Sequence, residues 1–133
     1  MLFADLDKFK AVNDELGHAT GDLVLKQFAE IIRNSIRSPD IAARFGGDEF
    51  VMLLENTSPE DAECVATRIQ HQVNAWAREN GIDVSVTFGV GEAPTHGDNF
   101  HSLLEQVDRA LYHSKTTHTG GGLAHAQCRQ AVS

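Results

Sequence analysis

The stretch "ARFGGDEFVMLLE" (Ala43–Glu55) decides how this chain is read. It joins two strand candidates, "DIAARF" and "EFVMLLE", through Gly46-Gly47. A glycine pair tolerates the positive φ angles of a tight hairpin, so a two-stranded ribbon is expected here. Two carboxylates, Asp48 and Glu49, follow the glycines directly, and an apolar run begins at once behind them.

The flanks supply the remaining elements. "MLFADL" reads as a short strand ending in acid. "DKFKAVNDELGH" has helical spacing, with Phe9, Val12 and Leu16 on one face. In "ATGDLVLKQFAEIIRNSIRS", Thr20 is the expected N-cap, and Leu25, Phe28, Ile32 and Ile36 form the expected apolar stripe. "SPEDAECVATRIQHQVNAWARENG" is the clearest helix. Ser58 caps it, Pro59 suits its first position, Asp61 completes a variant capping box, and Asn80-Gly81 stops it. Its inner stripe is Ala62, Val65, Ile69, Val73 and Trp76. "DVSVTFGVG" is rich in β-branched residues and reads as a strand. "NFHSLLEQVDRALYHSK" is a last amphipathic helix, with Phe100, Leu103, Leu104, Val107 and Leu111 inward. The tail over 116–133 is weakly patterned, and a closing strand near Leu123 and a frayed end are both open readings. Strand, helix, helix, strand, strand, helix, strand, helix is the order of an α+β fold: a central, mostly antiparallel sheet flanked by helices.

Composition narrows the function. The 133 residues suit one domain, taken as 1–133, and 41% hydrophobic with 23% charged residues supports a core. No apolar run approaches a membrane span, and no leader pattern opens the chain. Cys64 and Cys128 make no disulfide framework, no Cys or His spacing resembles a zinc site, and a reduced, cytoplasmic location is expected. The net charge of −8, without a Lys/Arg run, argues against DNA or RNA as a partner. A small phosphorylated ligand is compatible, with a divalent cation supplying the missing positive charge.

If the first strand pairs with the hairpin, Asp5 and Asp7 meet Asp48 and Glu49 on one edge. Clustered carboxylates repel and usually hold a cation or stay solvated. The plainer readings are a helix cap at Asp7 and a solvated acid at a hairpin tip. Lys8 and Lys10 beyond Asp7, together with the glycines, favour metal and phosphate, because glycines let backbone amides approach phosphate oxygens.

"FADLDKFKAVNDELGHATGDLVLKQFA", "ARFGGDEFVMLLE" and "SVTFGVG" together resemble the GGDEF domain of diguanylate cyclases, from about residue 2 to residue 115. The resemblance implies the fold shared with nucleotide cyclases and polymerase palms. It implies condensation of two GTP into cyclic di-GMP with release of pyrophosphate, across a homodimer in which each domain binds one GTP. By the same resemblance Asp5, the Leu6 carbonyl and Asp48 would hold Mg²⁺ (or Mn²⁺), and the amides of Lys8 and Phe9 would cradle phosphates. Gly46 and Gly47 would lie against the nucleotide, and Asn13 and Asp22 would read guanine. A carboxylate at Asp22 can accept from guanine N1–H and its exocyclic amine together, a donor pair that adenine lacks. Lys10 and Lys115 would neutralise phosphate charge, and Glu49 would position metal or assist deprotonation of the attacking 3′-hydroxyl. "RSPD" matches an inhibitory product site, with Arg37 and Asp40 binding cyclic di-GMP and Arg68 assisting. A surface ion pair is the competing reading of Arg37 with Asp40, and an idle surface residue that of Arg68. His18 fits the family's Gly-His step with a structural role.

Two departures from the family pattern stand out. The resemblance leads one to expect a helix and a D-x-L-T-G-L-x-N-R stretch ahead of "MLFADLD". After Lys115 it leads one to expect Gly-Arg-Asn, whereas Thr119 stands at the arginine position. Losing one charge-assisted phosphate contact costs about 1.5–3 kcal/mol. These departures motivate the alternative of a weak or inactive module that binds GTP or cyclic di-GMP as a receptor.

Overall fold

Six residues that alternate between two faces make β1 (Leu2–Asp7) the centre of a sheet. A computed structural model describes residues 1–92, 99–117 and 123–125. After β1 come α1 (Phe9–Leu16), α2 (His18–Ser35), β2 (Ile41–Arg44), β3 (Glu49–Leu53), α3 (Pro59–Asn80), β4 (Ser85–Val90), α4 (Phe100–Thr117) and β5 (Leu123–His125). The described strands are ordered β2-β3-β1-β4-β5. Each neighbouring pair among the first four is antiparallel, and β5 lies parallel to β4. The expected α+β class and element order hold, and of the two readings of the tail the strand near Leu123 is the one present.

The period of two sorts the core. Leu2, Ala4 and Leu6 of β1 share one face with Phe50, Met52, Val86, Phe88 and Val90, and α2 and α3 cover it. Phe28 of α2 meets Phe50 edge-on, with centroids 4.8 Å apart and planes at 88°. Phe3 and Val51 occupy the other face, packed with Leu103 and Val107 of α4. A one-residue slip of β1 would exchange the two faces and drive Asp5 and Asp7 under α2 and α3, so the alternation fixes the register.

Several local expectations are corrected. Thr20 does not cap α2. Gly17, at φ 91°, is the N-cap, and the Thr20 hydroxyl donates back to the Leu16 carbonyl (3.1 Å) from inside the helix. Gly17 turns the chain before Thr20 is reached, a conformation that favours glycine. The buried face of α2 runs through Val24, Phe28, Ile31 and Ile32, so Leu25 and Ile36 lie at its margin. Leu16 is 50% exposed, because α1 ends there without a neighbour to cover it. The Ser58 cap holds: its hydroxyl accepts from the Asp61 amide (3.1 Å), and Gly81 (φ 64°) closes α3. Leu103 and Val107 are buried as expected, while the Phe100 and Leu111 side chains lie outside the described residues.

Phe28→Ala is expected to lower the unfolding free energy by about 3–5 kcal/mol in urea titrations. Tyr112→Ala, at a residue 73% exposed, is expected to stay within about 0.5 kcal/mol of the parent.

Candidate functional site

The β1–β3 register assembles the first half of the site. It sets Asp5 opposite Glu49, and the Leu6 amide donates to the Asp48 carbonyl (3.1 Å). Asp5, Leu6, Asp48 and Glu49 therefore sit within about one strand spacing, roughly 4.8 Å, at one end of the sheet. Asp48 is half-buried, and among the described residues no group hydrogen-bonds or ion-pairs its carboxylate. Oδ1 of Asp5 is sealed from solvent. No three His, Cys, Asp or Glu side chains among the described residues form a ready-made cage. Two carboxylates and a carbonyl are the donor set of a hard cation whose remaining ligands are water and phosphate, so these residues fit a divalent cation.

Asp7 takes another part. Its buried carboxylate accepts from the Thr87 hydroxyl (2.8 and 2.7 Å) and the Ser85 hydroxyl (3.0 Å). Asp7 therefore does not cap α1, and it clamps β1 to β4 beside the acids. The residue before α1 is Lys8, left-handed at φ 65°, with no side-chain cap. The Lys8 ammonium reaches Asp83 (3.1 Å), an exposed pair that contributes little to stability. The first intrahelical bond of α1 runs from the Val12 amide to the Lys8 carbonyl (3.0 Å), so the amides before it face outward at a helix N-terminus, where anions bind. Lys10 is exposed nearby, and the Lys115 side chain and Thr119 lie outside the described residues.

The hairpin tip differs from expectation. Neither Gly46 nor Gly47 has a positive φ, so the tip is not the tight turn anticipated from the pair. The Phe45 amide (2.8 Å) and the Gly46 amide (3.3 Å) both donate to the Glu49 carbonyl, closing a wider loop. A Cβ at Gly46 would approach Glu49 Oε1 to 2.7 Å, whereas one at Gly47 would meet nothing within 4 Å. Internal packing thus gives no reason for glycine at 47. Arg44 grips the loop from β2, donating from Nε to the Gly46 carbonyl (3.1 Å) and from Nη2 to the Gly47 carbonyl (2.7 Å).

A cavity of about 530 Å³ opens between α2 and β2, lined by Asp22, Leu25, Lys26, Arg44 and Phe50 among others. It runs from Asp22 to the arginine that holds the tip. Asn13 lies on α1 with its amide stacked over Gly21, where a Cβ would come within 1.8 Å of Asn13 Oδ1. Gly21 thus lets α1 and α2 approach beside Asp22. Among the described residues nothing hydrogen-bonds the side chain of Asn13 or Asp22.

A second cavity, of about 270 Å³, gathers Arg37, Asp40 and Arg68 with Asp61 and Cys64. Asp40 is nearly enclosed, its side chain 3% exposed. It accepts from the Glu55 amide (2.9 Å) and the Arg37 amide (3.1 Å), and the Arg37 Nε lies 3.5 Å from it. Arg37 also donates to the Glu55 carbonyl and the Thr57 hydroxyl, both at 3.1 Å. The local ion pair weighed in the sequence is therefore present, and it braces the base of the β2–β3 hairpin. Arg68 is exposed and has no partner among the described residues. Burial alone would raise the Asp40 carboxyl, but the Glu55 and Arg37 amides and the Arg37 charge outweigh it and hold the group below its ordinary 3.8.

Sequence reading passed over Gly21, Arg44 and the Ser85–Thr87 pair. A glycine inside a helical stripe, which costs about 1 kcal/mol against alanine, was the available signal for Gly21. Nothing local marked Ser85 and Thr87, whose partner is 78 and 80 residues away.

The family described as diguanylate cyclase, GGDEF domain, matches residues 1–120. Diguanylate cyclase A of Treponema denticola is 42% identical over 118 residues, covering 86% of this chain and 32% of that protein. The bifunctional diguanylate cyclase/cyclic di-GMP phosphodiesterase MucR of Pseudomonas aeruginosa is 41% identical over 117 residues, covering 86% of this chain and 17% of that protein. The chain thus spans a third or less of the length of these relatives. The solved coiled coil and GGDEF domain of DgcB from Caulobacter crescentus, in complex with c-di-GMP, superposes with a TM-score of 0.82 at 30% identity, over 94% of this chain and 68% of that one.

Gly21→Ala is expected to push the Asn13 amide aside, lowering stability by about 1–3 kcal/mol in urea titrations. Asp40 contributes stability that is fully present above 3.8 and is lost as pH falls through its lower folded-state value. Asp40→Asn is expected to be about 1.5–3 kcal/mol less stable at pH 7. That deficit should shrink in acid, as measured by urea unfolding across the range.

Proposed function

Because the chain belongs to the GGDEF family of diguanylate cyclase domains, we propose that it binds GTP and, as a homodimer, condenses two molecules into cyclic di-GMP. The observation that carries this reading is the β1–β3 register, which gathers Asp5, Leu6, Asp48 and Glu49 at one sheet end. A divalent cation, Mg²⁺ or Mn²⁺, on Asp5, Asp48 and the Leu6 carbonyl would neutralise phosphate charge and act as a Lewis acid.

Asp22, which lines the cavity between α2 and β2, accepts from guanine N1–H and its amine, and Asn13 reaches the base from α1. The amides of Lys8 and Phe9 at the α1 N-terminus take the terminal phosphates. Lys10 and Lys115 add positive charge there. Gly46 and Gly47 leave room for the nucleotide at the tip, in keeping with the open space found at Gly47.

The 3′-hydroxyl of one GTP attacks the α-phosphorus of the GTP on the partner. An O3′–Pα bond forms, the bond from Pα to the bridging oxygen breaks, and pyrophosphate departs with that electron pair. Glu49 receives the hydroxyl proton. The reciprocal step closes the ring and releases a second pyrophosphate. Each chain holds one nucleotide, so turnover requires two. The reaction belongs in the cytoplasm, where GTP is available. No helix among the described residues is long and apolar enough to cross a membrane.

Product binding at Arg37, Asp40 and Arg68 completes the reading, with the unpartnered Arg68 guanidinium offered to a phosphate and the Arg37 plane to guanine. The DgcB structure solved in complex with c-di-GMP supports a product site in this family.

Incubation with GTP and Mg²⁺ is expected to yield cyclic di-GMP on chromatography, at a specific rate that rises with protein concentration. Asp48→Ala is expected to lower that rate roughly 10²–10³-fold. A folded, dimeric sample that makes no product would overturn the cyclase reading.

A further inference from the structure

Lys8 occupies a position that its backbone does not favour. It joins β1 to α1 in the left-handed region, at φ 65° and ψ 18°. Among the described non-glycine residues only Lys8 and Asn56 have a positive φ. Glycine or asparagine takes that conformation more readily than lysine. Among the described residues the Lys8 side chain makes one polar contact, the pair of its ammonium with Asp83 at 3.1 Å. That pair is open to water, with side-chain exposures of 50% for Lys8 and 84% for Asp83. An exposed pair contributes less than the strained backbone costs. The folded chain by itself therefore gives no reason for lysine here. Asp83 lies in the loop between α3 and β4, two residues before Ser85, which faces Asp7 across the strands. It thus stands at the sheet end that carries Asp5 and Asp48, on the β4 side of β1.

We propose that Asp83 parks the Lys8 ammonium, and that the ammonium passes from Asp83 to the terminal phosphate of a bound nucleoside triphosphate. The exchange rests on the nucleotide reading above and deepens it: Asp83 becomes an internal competitor that sets how tightly the triphosphate binds. A carboxylate in open water holds the lysine weakly. A terminal phosphate carries more charge and offers three strong acceptor oxygens, so it is the better partner. Lysine suits the exchange because its ammonium is a point charge on a flexible stem, with no planar fork to realign. Exposed side chains change rotamer within nanoseconds, so the swap adds no slow step to binding. Asp83, once released, is solvated where it stands, and no buried charge is left unpaired.

The test is calorimetric titration, with Mg²⁺ present, of a GTP analogue carrying a methylene between the α- and β-phosphates. It is run on the parent, Lys8→Gly, Asp83→Asn and the double variant. Asp83→Asn is expected to tighten binding roughly threefold, because the ammonium is no longer held back. Lys8→Gly is expected to weaken it roughly tenfold. Glycine suits φ 65°, so urea unfolding of Lys8→Gly should show no loss of stability. In the Lys8→Gly background Asp83→Asn should lose its effect, the coupling that an exchange requires. Tightening of the same size in both backgrounds reports only a lost acid and overturns the exchange. Equal binding by the parent and Lys8→Gly also overturns it, and leaves the nucleotide reading standing. No binding by the folded parent sinks both readings.

Discussion

One hydrogen-bond register governs this molecule. When the Leu6 amide meets the Asp48 carbonyl, Asp5 falls opposite Glu49, and the acids meet at one end of the sheet. The same register sends Leu2, Ala4 and Leu6 toward α2 and α3, and Phe3 toward α4. Core and site are thus not separate achievements of the sequence. The hydrophobic alternation that prevents β1 from slipping also places carboxylates that would otherwise repel each other. Asp7 reinforces the arrangement from the opposite edge of β1 through Ser85 and Thr87, so the acid-bearing strand is tied on both sides.

Much of this was legible in the chain. The element order follows from helical and strand periodicities, and the α3 boundaries follow from Ser58, Pro59 and Gly81, whose effects are local. The errors arose where a local signal met a nonlocal competitor. Asp7 looks like a cap, yet two hydroxyls far along the chain claim its carboxylate. Thr20 looks like a cap, yet Gly17 turns the chain first. Gly46-Gly47 looks like a tight turn, yet Arg44 and the Glu49 carbonyl hold a wider loop without positive φ. The acids of the site were visible because they fall in two motif-dense stretches, around Asp5 and around Asp48. The residues that support them were not, because each acts on a partner that only the folded chain reveals.

Arg37 and Asp40 show that a residue can serve structure and ligand at once. Their bonds to Glu55 and Thr57 brace the hairpin base in the absence of any ligand. An incoming anion would find Arg68 uncommitted and Arg37 already occupied. The two arginines of one cavity are therefore not equivalent. Arg68 can engage at no structural expense, whereas Arg37 must share its donors or surrender them.

Strand β2 ends the sheet, and all four of its residues are exposed, Ile41 at 60%. Among the described residues its outer rim pairs with no other strand, and so offers main-chain groups to any extended segment that drifts past. Brevity is the safeguard. Four residues span only about 13 Å, too short a template to nucleate cross-molecular stacking, and a charged side chain closes the run. Lengthening this rim by a few apolar residues would turn a soluble border into a seam along which copies could zip together.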